Sequence, residues 1–237
     1  MTPPMRVSLC LLVWNELEGC KLDVPQIPAG AFEEIYAVDG GSTDGTTEYL
    51  HANGIAVYPQ PTRGLNAAYW QGINISTCES VVFFFPKGTI PVADMLKFRP
   101  LLESGCHLVI ASRNITGAKN EEDNSWLKPR KWLVLSLAFF AGLLWRREGY
   151  WVRDVLHGVR AMTVNGFKRM APSKTGLSID IETVIRSYRL RLRRAEFPTC
   201  ETSRPFGQTH FKIFPTSVKL AKYLWREIWE TTPSRRA

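Results

Sequence analysis

Residues 38–46, which read VDGGSTDGT, constrain the fold more than any other part of this sequence. They follow the short apolar run 35–38, and a buried strand that enters such a glycine-rich polar segment must turn sharply at the carboxyl edge of a sheet. Open α/β sheets bind their ligands at that edge. We therefore expect Asp39 to accept hydrogen bonds from a polar ligand and Asp44 to cap the helix that begins near Thr46.

A second apolar run, at residues 6–14, leads directly into Asn15 and Glu16 and places another carboxylate at the same edge. Strand and helix patterns then alternate along the chain, which predicts an α/β fold with a mostly parallel sheet sandwiched by helices. The predicted strands are 6–14, 35–38, 55–59, 81–85, 107–111 and 190–197, and the predicted helices are 17–22, 46–52, 65–75, 95–103 and one that carries Ile181, Val184, Ile185 and Tyr188.

Length and composition favour one domain over residues 1–237, because 237 residues with 45% hydrophobic and 22% charged side chains can bury a sizeable core. The five cysteines are scattered and lack a CxxC spacing, so we expect neither a zinc site nor a disulfide framework, and a reducing compartment. Residues 1–5 lack a signal-peptide pattern. A cytoplasmic location is therefore predicted.

Charge is distributed unevenly along the chain. Residues 1–100 carry 6 basic and 10 acidic side chains, whereas the remainder carries 24 and 12. No nucleic-acid-binding signature accompanies the basic half, so nucleic acid is not the expected partner. An anionic membrane surface or a phosphorylated acceptor fits better, because the same half contains apolar and amphipathic segments.

Two of these segments are candidates for membrane-surface helices. Residues 132–145 form an apolar run with Trp at both ends and cations on both flanks, but 14 residues are too few to span a bilayer, which needs about 20. An interfacial helix and a buried core helix both fit this run. Residues 211–229 show apolar positions at helical spacing with interspersed lysines, which fits an interfacial helix, a packed terminal helix or a contact to a partner. The expected location is thus peripheral, on the cytoplasmic face of a membrane.

Three motifs taken together resemble the family 2 glycosyltransferases: the strand ending in Asn-Glu, VDGGSTDGT, and GLNAAYWQGIN at residues 64–74. Further motifs resemble the branch that glycosylates polyprenyl phosphates, the dolichyl-phosphate mannose synthase-like proteins. They are ASR at 111–113, RDVLHGVRA at 153–161, SIDIE at 178–182 and RPFG at 204–207. The resemblance implies the GT-A fold, with donor binding over about 1–110, acceptor binding over about 111–210 and an amphipathic helix over about 211–237.

The resemblance places a nucleotide-diphosphate sugar in the first half, with Glu16 and Asp39 at the base and ribose, and it admits both UDP and GDP. The implied donor residues are Trp14, Glu16, Asp39, Gly41, Ser42, Asp44 and Lys87.

In the second half, three arginines match positions near phosphates, and a guanidinium is suited to bidentate phosphate binding. The implied acceptor or phosphate residues are Arg113, His157, Glu182 and Arg204, and the implied catalytic residues are Lys87, Asp154, Arg160 and Arg204. For Asp154 and Glu182, a role as the buried partner of an arginine is equally consistent. For His157, a structural role is the simpler interpretation.

The chain departs from the family after the run 81–85. The family usually carries an Asp-x-Asp pair there that binds a divalent metal, but Phe85 and Lys87 occupy the two acidic positions. We therefore expect no metal site, no cofactor and no requirement for a divalent metal, with Lys87 supplying the positive charge at the diphosphate. The alternative is a catalytically inactive subunit that binds a nucleotide sugar.

The expected reaction is inverting transfer of a sugar to a membrane lipid phosphate. A phosphate monoester is already an anion at neutral pH and needs no general base, whereas a sugar hydroxyl does. If the acceptor is instead a saccharide, as in cell-surface polysaccharide assembly, Asp154 or Asp180 is the candidate base.

Overall fold

A computed structural model describes residues 4–206 and 213–229. The chain divides into two compact units, Met1–Phe206 and Gly207–Ala237. The single domain over 1–237 remains a prediction.

The first unit is built on one seven-stranded sheet in the order β3-β2-β1-β4-β6-β5-β7. The strands are β1 Val7–Val13, β2 Glu34–Asp39, β3 Ala56–Pro59, β4 Ser80–Phe84, β5 Leu108–Ser112, β6 Arg160–Thr163 and β7 Arg194–Pro198. Strand β6 is antiparallel to its neighbours β4 and β5, and all other pairs are parallel. The predicted mostly parallel α/β sheet is confirmed.

Helices flank this sheet. They are α1 Leu17–Asp23, α2 Thr46–Ala52, α3 Leu65–Ile75, α4 Phe98–Glu103, α5 Pro129–Trp145, α6 Val164–Met170 and α7 Ile179–Arg189, with three-residue to six-residue 3-10 helices at Val24–Gln26, Val92–Lys97 and Glu121–Asn124. The second unit contributes α8, Ile213–Trp229. Residues 211, 212 and 230–237 of the predicted amphipathic segment lie outside the described residues.

Strands β1 and β4 lie at the centre of the sheet, and every residue in both is buried. This burial explains their continuous apolar sequences, because a strand covered on both faces has no solvent side to fill with polar residues. The sequence missed β6, whose four residues are too few to show a period. It also began β7 too early: Arg191, with φ of 51°, turns the chain before the strand.

Helix α5 has a buried side, as a core helix has, and an exposed apolar side, as an interfacial helix has. One face is buried, and its members are Val134, Leu137, Ala138, Ala141, Gly142 and Trp145. The opposite face presents apolar side chains that are 43–60% exposed: Trp132, Phe139, Phe140, Leu143 and Leu144. The helix therefore packs on the domain through one side and leaves apolar side chains exposed on the other.

Within the described residues, no helix has both the length and the apolar character that crossing a membrane requires.

Candidate active site

Three parallel strands, β2, β1 and β4, lie side by side and end at the same edge of the sheet. Three polar segments follow them: residues 14–16 after β1, residues 39–46 at the end of β2, and residues 85–89 after β4. We call these three segments the donor edge, because the sequence predicts the nucleotide-sugar donor there.

The Asp39 carboxylate organises its own loop. It accepts hydrogen bonds from the amides of Gly41 at 3.0 Å and Ser42 at 3.0 and 3.1 Å, and from the Ser42 hydroxyl at 2.5 Å. Gly41 has φ of 95°, a left-handed conformation that glycine adopts without strain. Gly41 and Ser42, both predicted donor residues, therefore shape the loop that presents Asp39.

Asn15 connects the first two segments of the edge, a role that the sequence analysis missed. Its amide donates to the Ser42 hydroxyl, and its side-chain oxygen accepts from the Thr43 amide, each at 2.8 Å. Asn15 has φ of 52°, and Asn is among the few residues that tolerate this region. An Asn directly after a buried run was the available signal.

Asp44 joins two helix starts rather than acting as the N-cap of one. The N-cap of α2 is Gly45, whereas Asp44 accepts from the amides of Thr46 and Leu17, each at 3.0 Å. Burial opposes ionisation of Asp44, but hydrogen bonds from the Thr46 hydroxyl and from these amides prevail and lower its pKa. The predicted hydrogen bond between Asp44 and an amide at the start of α2 is therefore present, although Asp44 lies one residue before the N-cap.

Glu16 and Arg204 form an ion pair, although 188 residues separate them in the sequence. Both side chains are mostly buried. The Glu16 amide donates a hydrogen bond to the Thr46 hydroxyl at 3.0 Å, which fixes the backbone of Glu16. The structure thus brings Arg204, which the sequence placed near a phosphate, to the donor edge. Residue 207 of the RPFG motif lies outside the described residues.

Lys87 also lies at this edge, after β4. Its ammonium is 4.9 Å from the centre of the Phe85 ring, and within residues 4–206 it forms no hydrogen bond or ion pair. Burial lowers the pKa of Lys87; the Glu16 carboxylate opposes that shift and the Arg204 guanidinium adds to it. Lys87, Glu16 and Arg204 are thus close enough to influence one another electrostatically.

Trp14 completes the edge with a partly exposed ring, and the Arg63 guanidinium lies 5.4 Å from its centre. An aromatic face backed by a guanidinium is a suitable surface for a planar ring.

Apart from Arg204, the charged residues that the sequence assigned to the second half are bound to other groups of that same half. Arg113 binds Asp154 through two nitrogens, at 2.8 and 3.0 Å, and Glu201 at 3.1 Å. Asp154 is fully buried; burial opposes its ionisation, but the Arg113 guanidinium prevails and lowers its pKa to about 2. In this geometry Asp154 is the buried partner of an arginine, which is one of the two roles that the sequence allows. Glu201 had no sequence signal.

Arg160 begins β6 and is fully buried. Its guanidinium pairs with the Asp180 carboxylate at 3.1 Å and donates to the Thr183 hydroxyl at 2.9 Å and the His157 carbonyl at 2.9 Å. Asp180 and Thr183 belong to α7, so these contacts of Arg160 join β6 to α7.

His157 is buried and donates from Nδ1 to the Ala111 carbonyl. Burial, followed by the nearby Arg113 charge, lowers the pKa of His157 to about 3, so the ring is neutral at pH 7. This is the arrangement of a structural histidine.

Glu182 lies fully buried on α7. It accepts from the Ser173 amide at 2.8 Å and the Ser178 hydroxyl at 3.0 Å, and it pairs with Arg186 at 2.7 Å. These contacts fasten the loop that precedes α7. We call Arg113, Asp154, Arg160, Asp180 and Glu182 the buried charge cluster.

Solved structures of glucosyl-3-phosphoglycerate synthase from Mycobacterium tuberculosis are similar to this chain. The complex with Mn²⁺, UDP and phosphoglyceric acid matches with a TM-score of 0.69 and 18% identity over 97% of this chain and 80% of that one. The complex with Mn²⁺ and UDP-glucose matches with a TM-score of 0.66 and 19% identity over 94% of this chain and 78% of that one. The chain has the GT-A glycosyltransferase fold.

A sequence comparison finds glycosyltransferase AglJ from Haloferax volcanii, 24% identical over 208 residues, which are 87% of this chain and 66% of AglJ. The chain therefore spans slightly less than two thirds of the length of that relative. No family model matches the chain. Both comparisons agree with the prediction of a glycosyltransferase enzyme.

The same solved structures contradict the prediction that no cofactor or divalent metal is required, because the synthase binds Mn²⁺ together with UDP and with UDP-glucose. The donor edge of this chain does not fit such an ion: Phe85, Pro86 and Lys87 follow β4, and the described residues contain no group of three or more His, Cys, Asp or Glu side chains able to hold a metal.

Proposed function

We propose that this chain transfers a sugar, with inversion, from a nucleotide-diphosphate sugar to a lipid phosphate at a membrane surface. The observation that carries the proposal is the donor edge, where Trp14, Glu16, Asp39 and Lys87 meet at the ends of three parallel strands in a GT-A fold. This is the edge at which open α/β sheets bind ligands.

The chemistry of the edge suits each part of such a donor. Trp14 offers a ring face to a nucleobase, and carboxylates such as Asp39 and Glu16 accept hydrogen bonds from base and ribose groups. Lys87 offers a cation to the diphosphate, which gains negative charge as the sugar departs. The synthase with the same fold binds UDP-glucose, so a uridine donor is the first to test.

The buried charge cluster supports a phosphate acceptor. The base candidates for a sugar hydroxyl were Asp154 and Asp180, and both are buried and paired with arginines, at 2.8 and 3.1 Å. The low pKa of Asp154 makes it a weak base. Burial raises the pKa of Asp180, but its carboxylate is largely inaccessible and is held by the Arg160 guanidinium. A phosphate oxygen needs no such base, since it attacks as an anion once it is positioned in line with the departing diphosphate.

The exposed face of α5 supports a membrane location, because Trp132, Phe139, Phe140, Leu143 and Leu144 form an apolar surface on one side of a helix. The cations before the helix are less available than the sequence implies: Lys131 and Lys128 pair with Asp123, and Arg130 pairs with Glu121. Apolar insertion should therefore contribute more to binding than attraction to anionic lipid.

The proposal is tested with purified protein in the presence of Mn²⁺. Calorimetry against UDP-linked and GDP-linked sugars identifies the donor, and a labelled donor then reports transfer to a polyprenyl phosphate, the matching polyprenol and an oligosaccharide. We expect binding of one donor class and transfer to the phosphate alone. Transfer to the oligosaccharide would contradict the acceptor, binding without transfer would favour the inactive subunit, and no donor binding would contradict the function itself.

A further inference from the structure

The turn that carries Lys87 is held closely by α1. A Cβ atom added to Gly19 would lie 2.1 Å from the Pro86 carbonyl oxygen, so α1 and the turn approach each other at a distance that only glycine permits. A Cβ atom added to Gly88 would lie 2.7 Å from Leu22 of the same helix. The turn therefore rests directly on α1.

Asp23, the last residue of α1, supplies the polar contact at this junction. Its carboxylate is almost completely buried and accepts from the Gly88 amide at 2.8 Å. Burial raises the pKa of Asp23 to about 6, against the opposing hydrogen bonds from the amides of Gly88 and Lys87. A buried carboxylate is costly unless it is hydrogen-bonded, which indicates a specific role at this position.

The opposite side of the turn is held by the segment that leads to Arg204. The Thr202 amide donates to the Thr89 carbonyl at 2.9 Å, and Pro205 lies 3.2 Å from the position of a Gly88 Cβ. Gly88 itself has φ of 66°, so the turn adopts a conformation that favours glycine. Lys87 is thereby fixed between α1 and this segment.

Helix α1 also begins immediately after Glu16, so one short helix connects a donor-edge carboxylate at its start to the Lys87 turn at its end. We propose that Asp23 is a positioning residue, whose carboxylate holds the Pro86–Gly88 turn on α1 and so sets the Lys87 ammonium at the donor diphosphate. This inference rests on the proposed function and adds a residue to it. Asp23 forms no ion pair with Lys87 in the described residues, so it acts through the turn's backbone.

The test is a double-mutant cycle of Asp23→Ala and Lys87→Ala, with donor binding and single-turnover transfer measured for each protein in Mn²⁺. Misplacement of a reacting group by about 1 Å costs about 100-fold, so Asp23→Ala alone should lower turnover about 10- to 100-fold and donor affinity less. In the Lys87→Ala background, removal of Asp23 should lower turnover by about threefold or less, because both changes disable the same cation. Asp23→Asn keeps an oxygen that can accept from the Gly88 amide and should restore most of the activity.

Asp94→Ala is the matched control. Asp94 is also a buried acid, but its carboxylate accepts from the Thr199 hydroxyl, at 2.5 Å, and not from an amide of the Lys87 turn. Its effect on turnover should be small and should combine additively with Lys87→Ala. Thermal unfolding of every variant reports folding separately.

Each outcome decides a different point. If wild type binds no nucleotide sugar, the proposed function fails. If Lys87→Ala impairs transfer but Asp23→Ala has no effect, or an effect fully additive with Lys87→Ala, the proposed function stands and the role of Asp23 is overturned. Failure of Asp23→Asn to restore activity would also contradict a role through the Gly88 amide.

Discussion

The donor edge and the buried charge cluster both contain paired charges, such as Glu16 with Arg204 and Asp154 with Arg113, but they differ in one cation. At the donor edge, Lys87 has no ion-pair partner among the described residues and Trp14 presents an exposed ring. In the cluster, Asp154, Arg160 and Glu182 are fully buried, and each is bound to other protein groups. A charged residue within a sequence motif is thus a candidate ligand contact only where folding leaves it a side open to a ligand.

The second half of the chain contributes an apolar surface instead. The exposed face of α5 has no counterpart at the donor edge, whose exposed aromatic residue is next to polar loops. Substitutions in the buried charge cluster should therefore affect stability, whereas substitutions at the donor edge should affect donor binding or turnover. Substitutions on the exposed face of α5 should affect membrane association.

The largest effect is expected for Arg160→Met, which leaves Asp180 buried without its cation. Breaking a buried pair by removing one partner costs about 3–5 kcal/mol of unfolding free energy. Denaturant unfolding measures this loss. Arg153→Met, at an exposed arginine on the neighbouring loop, is the control and should cost less than about 1 kcal/mol. If Arg160→Met weakened donor binding without lowering stability, Arg160 would be a ligand contact, and the contrast between the cluster and the donor edge would be wrong.

Lys87→Ala should lower turnover about 100- to 1,000-fold, the usual loss when one contact to developing negative charge is removed. Stability should change little, because Lys87 has no ion pair to lose in the described residues. Single-turnover transfer in Mn²⁺ measures the effect. Lys97→Ala is the control, since Lys97 is half exposed and paired with Asp94 at 2.6 Å. Full activity in Lys87→Ala would remove Lys87 from the donor site.

Asp39→Asn should weaken donor binding by roughly 1–3 kcal/mol, the range for losing a hydrogen bond to a charged group. The loop should persist, because the amide oxygen can still accept from Gly41 or Ser42. Calorimetry with the donor provides the measurement. Glu79→Gln is the control, because Glu79 precedes β4 and therefore lies at the opposite edge of the sheet. Equal donor affinity in the Asp39 variant and wild type would contradict the assignment of this loop to the nucleotide.

Leu143→Ser should weaken co-sedimentation with phospholipid vesicles by roughly 1–2 kcal/mol, because an interface buries an exposed leucine only in part. Leu96→Ser, at a leucine that is also exposed but lies outside α5, is the control and should bind as wild type does. Because the cations before α5 are paired with acids, added salt should release only part of the protein. Equal vesicle binding by both variants would show that α5 is not the membrane-binding surface.

Local sequence patterns predicted the parts of the fold that depend on local physics. The apolar runs of β1 and β4 identified the buried central strands, and the limits of α2 and α3 matched the predicted 46–52 and 65–75. The glycine-rich loop after β2 predicted a turn at the carboxyl edge, since turn chemistry is set by neighbouring residues. The sequence did not predict strand β6, because its position between β4 and β5 depends on pairing with distant segments.

The sequence by itself thus determined the alternation of buried strands and helices and the polar segments at the ends of β1, β2 and β4. Only the tertiary structure decided which charged side chains are satisfied internally: Arg113 meets Asp154 across 41 residues and Arg204 meets Glu16 across 188. A motif fixes the type of a side chain, whereas its partners and its burial follow from packing between distant segments. That packing separates the donor edge from the buried charge cluster, although both contain the acids and cations of a catalytic site.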